Sequence, residues 1–271
     1  MKALALLLAL PLAVLAADKP VDAGPYVPSP QSVVSDMLRY ADVGPNDFLI
    51  DLGSGDGRIV LTAAKVFGAR GFGVEIKEDL VQKSNETAQK EGLAGRVKFM
   101  KQDLFTTDMS QATVITMYLL PDTVNLLKDK FLNELRPGTR IVSHDYPLTG
   151  WIPEKYVQMD LEDKIQISGV TTTLIYLYLV PAQVQGRWNA TMPPAVSRQP
   201  AYLHLRQQLT RVTGSLRVDG RDIPLEEATL RGDRISFRLS GRKGEFTGQV
   251  KGKLIEGTLD GKTPWSATLG G

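Results

Sequence analysis

Asp51, Glu75 and Asp103 each lie at or just beyond an apolar run, and between the first two stands Gly53-Ser54-Gly55-Asp56-Gly57. Three glycines at alternate positions let a backbone pass close to a ligand. A helix starting behind them presents unpaired N–H groups and the positive end of its dipole. The dinucleotide form of such a loop requires a third glycine at position 58, where Arg58 stands instead. A bulky residue there obstructs the packing that a pyrophosphate turn needs. The carboxylates narrow the ligand further. They repel a pyrophosphate but accept hydrogen bonds from ribose hydroxyls, an ammonium or an adenine amino group. Glu75, eighteen residues beyond Gly57, is placed to accept both hydroxyls of a ribose. Other chemistry is absent: there is no Cys, and His144 and His204 are the only histidines. Thiolate metal sites, disulfides and cysteine nucleophiles are excluded, and a zinc site or His-dependent triad has almost no material.

The elements that position these groups follow from periodicity. Ser29-Pro30 reads as an N-cap and first helical residue, followed by Val33, Val34, Met37 and Leu38 at helical spacing. Phe48 to Leu52 is a buried strand running into the glycine loop, and a helix follows with Ile59, Val60, Ala63, Ala64 and Val66. Further strands are expected at Gly71 to Ile76, Val97 to Met100, Thr113 to Leu119, Arg140 to Ser143, Tyr156 to Leu161 and Thr171 to Val180. Helices are expected at Leu80 to Glu91 and Val124 to Leu135. Strands alternating with helices predict an α/β fold, a doubly wound, seven-stranded Rossmann-like sheet built of parallel strands and crossover helices.

Composition divides the 271 residues into three parts. Residues 1–17 carry Lys2, then a Leu/Ala run broken by Pro11, with small residues before Asp18. This fits a secretory signal or hydrophobic targeting segment and is too short to span a bilayer. Residues 18–182 form the α/β domain. From Val184 to Gly271 the chain turns to short alternating strands with Gly and Asp-Gly turns, predicting a small antiparallel β-barrel around Trp188 and Trp265. Ala182 to Pro200, with Pro193 and Pro194, reads as a linker plus a first strand near Trp188. Net charge is +2, from 32 basic and 30 acidic residues, which implies no polyanionic partner and no nucleic acid. It is unevenly spread: residues 184–271 hold 14 basic and 8 acidic residues, the remainder 18 and 22. Arg231, Arg234, Arg238, Arg242 and Lys243 crowd one region, facing either an anionic lipid or acidic partner or plain solvent.

A ligand that combines a ribose diol, an adenine amino group and an ammonium without phosphate is S-adenosylmethionine. Across residues 26–180 the sequence resembles class I S-adenosylmethionine-dependent methyltransferases, with Asp51 to Gly57 similar to their first motif. Pro25 to Pro30, Asp51 to Val60 (DLGSGDGRIV) and Met117-Tyr118-Leu119-Leu120-Pro121 resemble one lysine methyltransferase family in particular. Its animal members modify the mitochondrial adenine nucleotide carrier and the ATP synthase c subunit. The resemblance implies that Asp51, Gly53, Ser54, Gly55, Asp56 and Gly57 bind the cofactor, with Glu75 and Ile76 on the ribose side and Asp103 and Leu104 on the adenine side. It implies that Tyr26 and Pro28 pack over the cofactor, and that Tyr118 lines the methyl-transfer channel as the candidate catalytic residue. A tyrosine closing the sheet edge is the other account of Tyr118. His144, after the fifth strand, is expected to be solvated or capping rather than a base, and no base is assigned. The animal enzymes lack the basic β-rich appendage. The function expected is protein-lysine N-methylation by an exported, periplasmic or membrane-associated enzyme. The alternatives are a small-molecule N- or O-methyltransferase and a noncatalytic envelope protein that kept the fold.

Overall fold

The computed structural model describes residues 25–270, so the hydrophobic segment 1–17 lies outside the described residues. The first part of the chain runs α1 (Gln31–Tyr40), β1 (Phe48–Leu52), α2 (Arg58–Phe67), β2 (Arg70–Glu75), α3 (Glu78–Lys90), β3 (Val97–Lys101) and β4 (Val114–Met117). It continues with α4 (Pro121–Leu126), α5 (Lys128–Glu134), β5 (Arg140–His144), β6 (Lys155–Asp160), α6 (Glu162–Ser168) and β7 (Thr172–Leu179). These seven strands form one sheet in the order β3-β2-β1-β4-β5-β7-β6. Strand β1 is buried on both faces. Leu49 packs with α1, α2 and α3, while Ile50 and Leu52 face the core that includes Val124 and Phe131 of α4 and α5.

The sheet is mixed rather than parallel throughout. β1 to β5 pair in parallel, but β7 runs antiparallel to β5 and β6 antiparallel to β7. Only residues 161–171 join β6 to β7, including α6. That is too little chain for a parallel crossover, so the strand turns back on its neighbour. Two smaller expectations also change. The helix predicted over 124–135 is broken at Leu127 and begins at Pro121, and α6 has no counterpart among the predicted helices.

The remainder is β8 (Gly186–Thr191), β9 (Ala201–Gln208), β10 (Arg211–Val218), β11 (Arg221–Arg231), β12 (Arg234–Leu239), β13 (Phe246–Lys251), β14 (Leu254–Leu259) and β15 (Thr263–Leu269). Each pairs antiparallel with the next, and β15 closes on β8. Asp219-Gly220 and Asp260-Gly261 turn with positive φ at both residues, the geometry of tight hairpins. Side chains fill the interior: Phe237 and Phe246 stack at 5.0 Å, and Trp265 meets both edge-on. Pro193 and Pro194 fall between β8 and β9, not in the linker. The actual linker, residues 181–185, is short and held. Ala182 donates to the Gly232 carbonyl at 2.8 Å, and Gln207 bonds both Ala182 and Val184.

The barrel docks at one end of the sheet. Its contacts there include Gly232 against Gly138, just before β5, and Arg231 with Glu154, just before β6. Val180, at the exit of β7, donates to Thr139 and accepts from Gly138 at the same end. The carboxyl ends of β1, β2, β4 and β5 point the opposite way.

Candidate active site

Sheets of this kind bind ligands where the strand order reverses, outside the carboxyl ends of the strands. Here that point lies between β1 and β4. The loop after β1 is fastened before any ligand is considered. Gly53 and Ser54 both donate to the Val74 carbonyl, at 3.0 and 2.9 Å, and Gly57 donates to the Ser54 carbonyl at 2.8 Å. From the end of β2, the Glu75 carboxylate accepts from Gly55 N–H at 3.0 Å, Ile76 N–H at 2.9 Å and Lys77 N–H at 3.1 Å.

Every residue that the resemblance assigns to the cofactor or to methyl transfer, except Gly57, lines one cleft: Tyr26, Pro28, Asp51, Gly53, Ser54, Gly55, Asp56, Glu75, Ile76, Asp103, Leu104 and Tyr118. Gly57 lies behind the loop as the left-handed cap of α2, φ +80°, and a Cβ there would strike the Phe99 ring at 2.6 Å. The glycines therefore serve protein packing more than ligand approach. A Cβ on Gly55 would meet the Tyr26 ring at 2.4 Å, and one on Gly53 would meet Leu119 at 2.7 Å.

The polar groups of the cleft differ in what they lack. Asp51 is buried, and its Oδ1 accepts from Thr116 at 2.7 Å, but no ion pair reaches it among the described residues. Burial, opposed by the Thr116 hydrogen bond and reinforced by Glu75 and Asp56, pushes its pKa up to about 7. The Ser54 hydroxyl is buried with no hydrogen-bond partner. Asp103 uses Oδ1 to hold Phe105 N–H at 2.8 Å. Asp56 lines the cleft, yet its carboxylate is engaged by Arg58, from Nε at 2.9 Å and Nη2 at 2.7 Å. A carboxylate without a cation, an orphaned hydroxyl and the apolar Ile76 and Leu104 together suit a nucleoside carrying an ammonium. The residues present fit S-adenosylmethionine.

The ANTKMT methyltransferase domain matches residues 51–155. A protein-lysine N-methyltransferase of Saccharolobus islandicus is 40% identical over 157 residues, 58% of this chain and 93% of that one. The chain belongs to this family of S-adenosylmethionine-dependent methyltransferases. An adenine nucleotide translocase lysine N-methyltransferase of Mus musculus is 33% identical over 129 residues, 48% of this chain and 56% of that relative. The crystal structure of an RNA methyltransferase from Salinibacter ruber, in complex with S-adenosyl-L-homocysteine, is 44% identical, with a TM-score of 0.52 over 58% of this chain and 96% of that one.

Around the methyltransferase cleft stand residues that the sequence did not assign. Arg58, read as an obstruction, grips Asp56 and also donates to the Ser29 carbonyl at 2.7 Å, strapping residues 25–30 over the loop. Ser29 is no helix cap: Pro30 occupies that position, and the Ser29 hydroxyl lies 2.8 Å from Nδ1 of His144. His144 is fully buried rather than solvated, and burial drives its pKa down to about 4, so the ring is neutral near pH 7. The Tyr118 hydroxyl donates to Asp145 Oδ2 at 3.1 Å. Burial, then Asp145, raises the Tyr118 pKa well above its ordinary value, so this hydroxyl keeps its proton. Lys164 of α6 holds both Asp145 oxygens, at 2.8 and 2.7 Å. Of this network the sequence singled out only Tyr118 and His144.

Proposed function

We propose that this enzyme transfers the methyl group of S-adenosylmethionine to the ε-amine of lysine in a protein. The observation that carries the reading is that Asp51, Glu75, Asp103 and Tyr118 line a single cleft. Glu75 would accept the ribose hydroxyls and Asp103 the adenine amino group, while Asp51 and Ser54 would hold the amino-acid end. The bound cofactor supplies a methyl already activated on a sulfonium, so the protein's part is alignment. Tyr118 keeps its proton and donates it in a hydrogen bond to Asp145, which leaves its oxygen lone pairs to orient a neutral amine. It is not the base, and the lysine must arrive deprotonated or release its proton to water. The lysine acceptor is favoured by the Saccharolobus islandicus relative, which this chain matches over most of its length.

A second reading, an RNA acceptor, draws on the Salinibacter ruber structure. Incubating the enzyme with methyl-labelled cofactor and either cell-envelope protein or total RNA separates them. Label on lysine, located by mass spectrometry, supports the first; label confined to RNA replaces it. We also propose that the enzyme works outside the cytosol or on a membrane; residues 1–17 and a barrel of net charge +6 support this. Cell fractionation with sequencing of the mature amino end tests it, and a soluble cytosolic protein retaining Met1 would refute it.

A further inference from the structure

His144 touches two groups that belong to different halves of the site. Its Nδ1 lies 2.8 Å from the hydroxyl of Ser29, on the strap over the cofactor cleft. Its ring lies against Tyr118, centroids 4.0 Å apart and planes inclined by 33°. Its Nε2 is buried with no hydrogen-bond partner, and the nearest Asp145 oxygen is 3.6 Å away, too far for a hydrogen bond. A phenylalanine would fill the same space without burying an unsatisfied nitrogen, so packing alone does not account for the imidazole. Ser29 is meanwhile fixed at both ends, its carbonyl by Arg58 and its hydroxyl by His144. Tyr118 is held on one side by Asp145 and on the other by this stack.

We propose that His144 is a positioning residue that couples seating of the Tyr26–Pro30 strap over the cofactor to the orientation of Tyr118. The proposal rests on the methyltransferase reading of the cleft. It makes the Ser29–His144 hydrogen bond the joint between cofactor binding and acceptor alignment. Losing the bond from either side should have the same effect, and losing it from both sides no more.

The test uses the full-length protein labelled with 3-fluorotyrosine, the Tyr118 fluorine resonance assigned by Tyr118→Phe, and S-adenosylhomocysteine as the probe. In the parent, saturation narrows the Tyr118 resonance as the ring is fixed. In Ser29→Ala, His144→Phe and the double variant it stays broadened to the same degree. Calorimetry should still find binding in all three, weakened about 2- to 10-fold by one lost hydrogen bond. Ser29→Ala removes a single oxygen, so it decides the matter even if His144→Phe folds poorly. A Tyr118 resonance that narrows in Ser29→Ala as it does in the parent overturns the coupling alone. A parent protein that binds no S-adenosylhomocysteine overturns the cofactor reading and the coupling together.

Discussion

Asp51 carries a carboxyl group to a place where water cannot solvate its charge. Burial holds its pKa near 7 against an ordinary 3.8, even though Thr116 donates to it. The folded protein therefore keeps a proton that the unfolded chain has lost, and stability must fall as pH rises from about 4 to about 7. An ammonium in the cleft reverses this, because it binds the ionised form. Below pH 7, cofactor affinity should drop by about tenfold per pH unit, since each binding event must first expel that proton. Asp51→Asn keeps the Thr116 contact and should flatten both dependences, read by thermal melts and by calorimetry from mildly acidic to neutral pH. Glu75→Ala is the companion test. It strips the acceptor from three backbone N–H groups and, on the proposed binding mode, from the ribose hydroxyls. Losing hydrogen bonds to a charged group, roughly 1.5–3 kcal/mol, predicts a cofactor Kd raised about 10- to 150-fold. A folded Glu75→Ala protein with parental affinity would show the site to be misplaced.

At the scale of elements, the strap and the glycine loop form one unit, since Tyr26 occupies the space that a side chain on Gly55 would need. Gly55 also has φ +52°, which costs any other residue roughly 1–2 kcal/mol. Gly55→Ala should thus displace the strap and weaken cofactor binding, and Tyr26→Ala added to it should recover part of the loss. If the double variant binds more weakly than Gly55→Ala, Tyr26 is not the obstructing group. This part of the molecule was legible in the sequence because parallel strands buried on both faces read as near-continuous apolar runs, as in Phe48 to Leu52, where Asp51 alone interrupts the run. The carboxylates at the strand ends were legible for the same reason. What escaped depends on residues distant in the chain. Ser29 meets His144 across 115 positions, and Asp145 meets Lys164 from a helix with no strong apolar period. β11 departs from the alternation expected of a barrel strand, since it holds Pro224 and a register shift between Glu226 and Thr229, where Glu227 takes φ +50°.

For the whole molecule, the position of the barrel limits what it can do. It meets the sheet at the entry to β5 and β6, and the four residue steps of β5 from Arg140 to His144 span about 13 Å. The opposite charges of the two halves do not explain the docking. Arg231 pairs with Glu154 at 2.7 Å, but its side chain is 65% exposed, and such pairs contribute about 0–1 kcal/mol. Arg238 is engaged by Glu227, and Arg242 donates to the Val196 carbonyl, so two of the five basic side chains of the cluster are tied to the barrel itself. Apolar packing and backbone bonds carry more. Leu209, in the tight turn between β9 and β10, packs against the core of the catalytic part while held at φ +55°. A leucine is rarely found in that conformation, and its contact with the neighbouring core offsets the strain. Two outcomes follow. Arg231→Ala should change stability by less than about 1 kcal/mol. Leu209→Asp should expose linker residues 181–185 to limited proteolysis while leaving cofactor affinity at the parental level, because the cleft lies at the far end of the sheet. High salt should mimic the small Arg231→Ala effect but leave the linker protected, since the screening that dissolves exposed ion pairs does not weaken apolar contact. If salt alone opens the linker to protease, the union of the two domains is electrostatic after all, and the barrel becomes a part that ionic conditions could release.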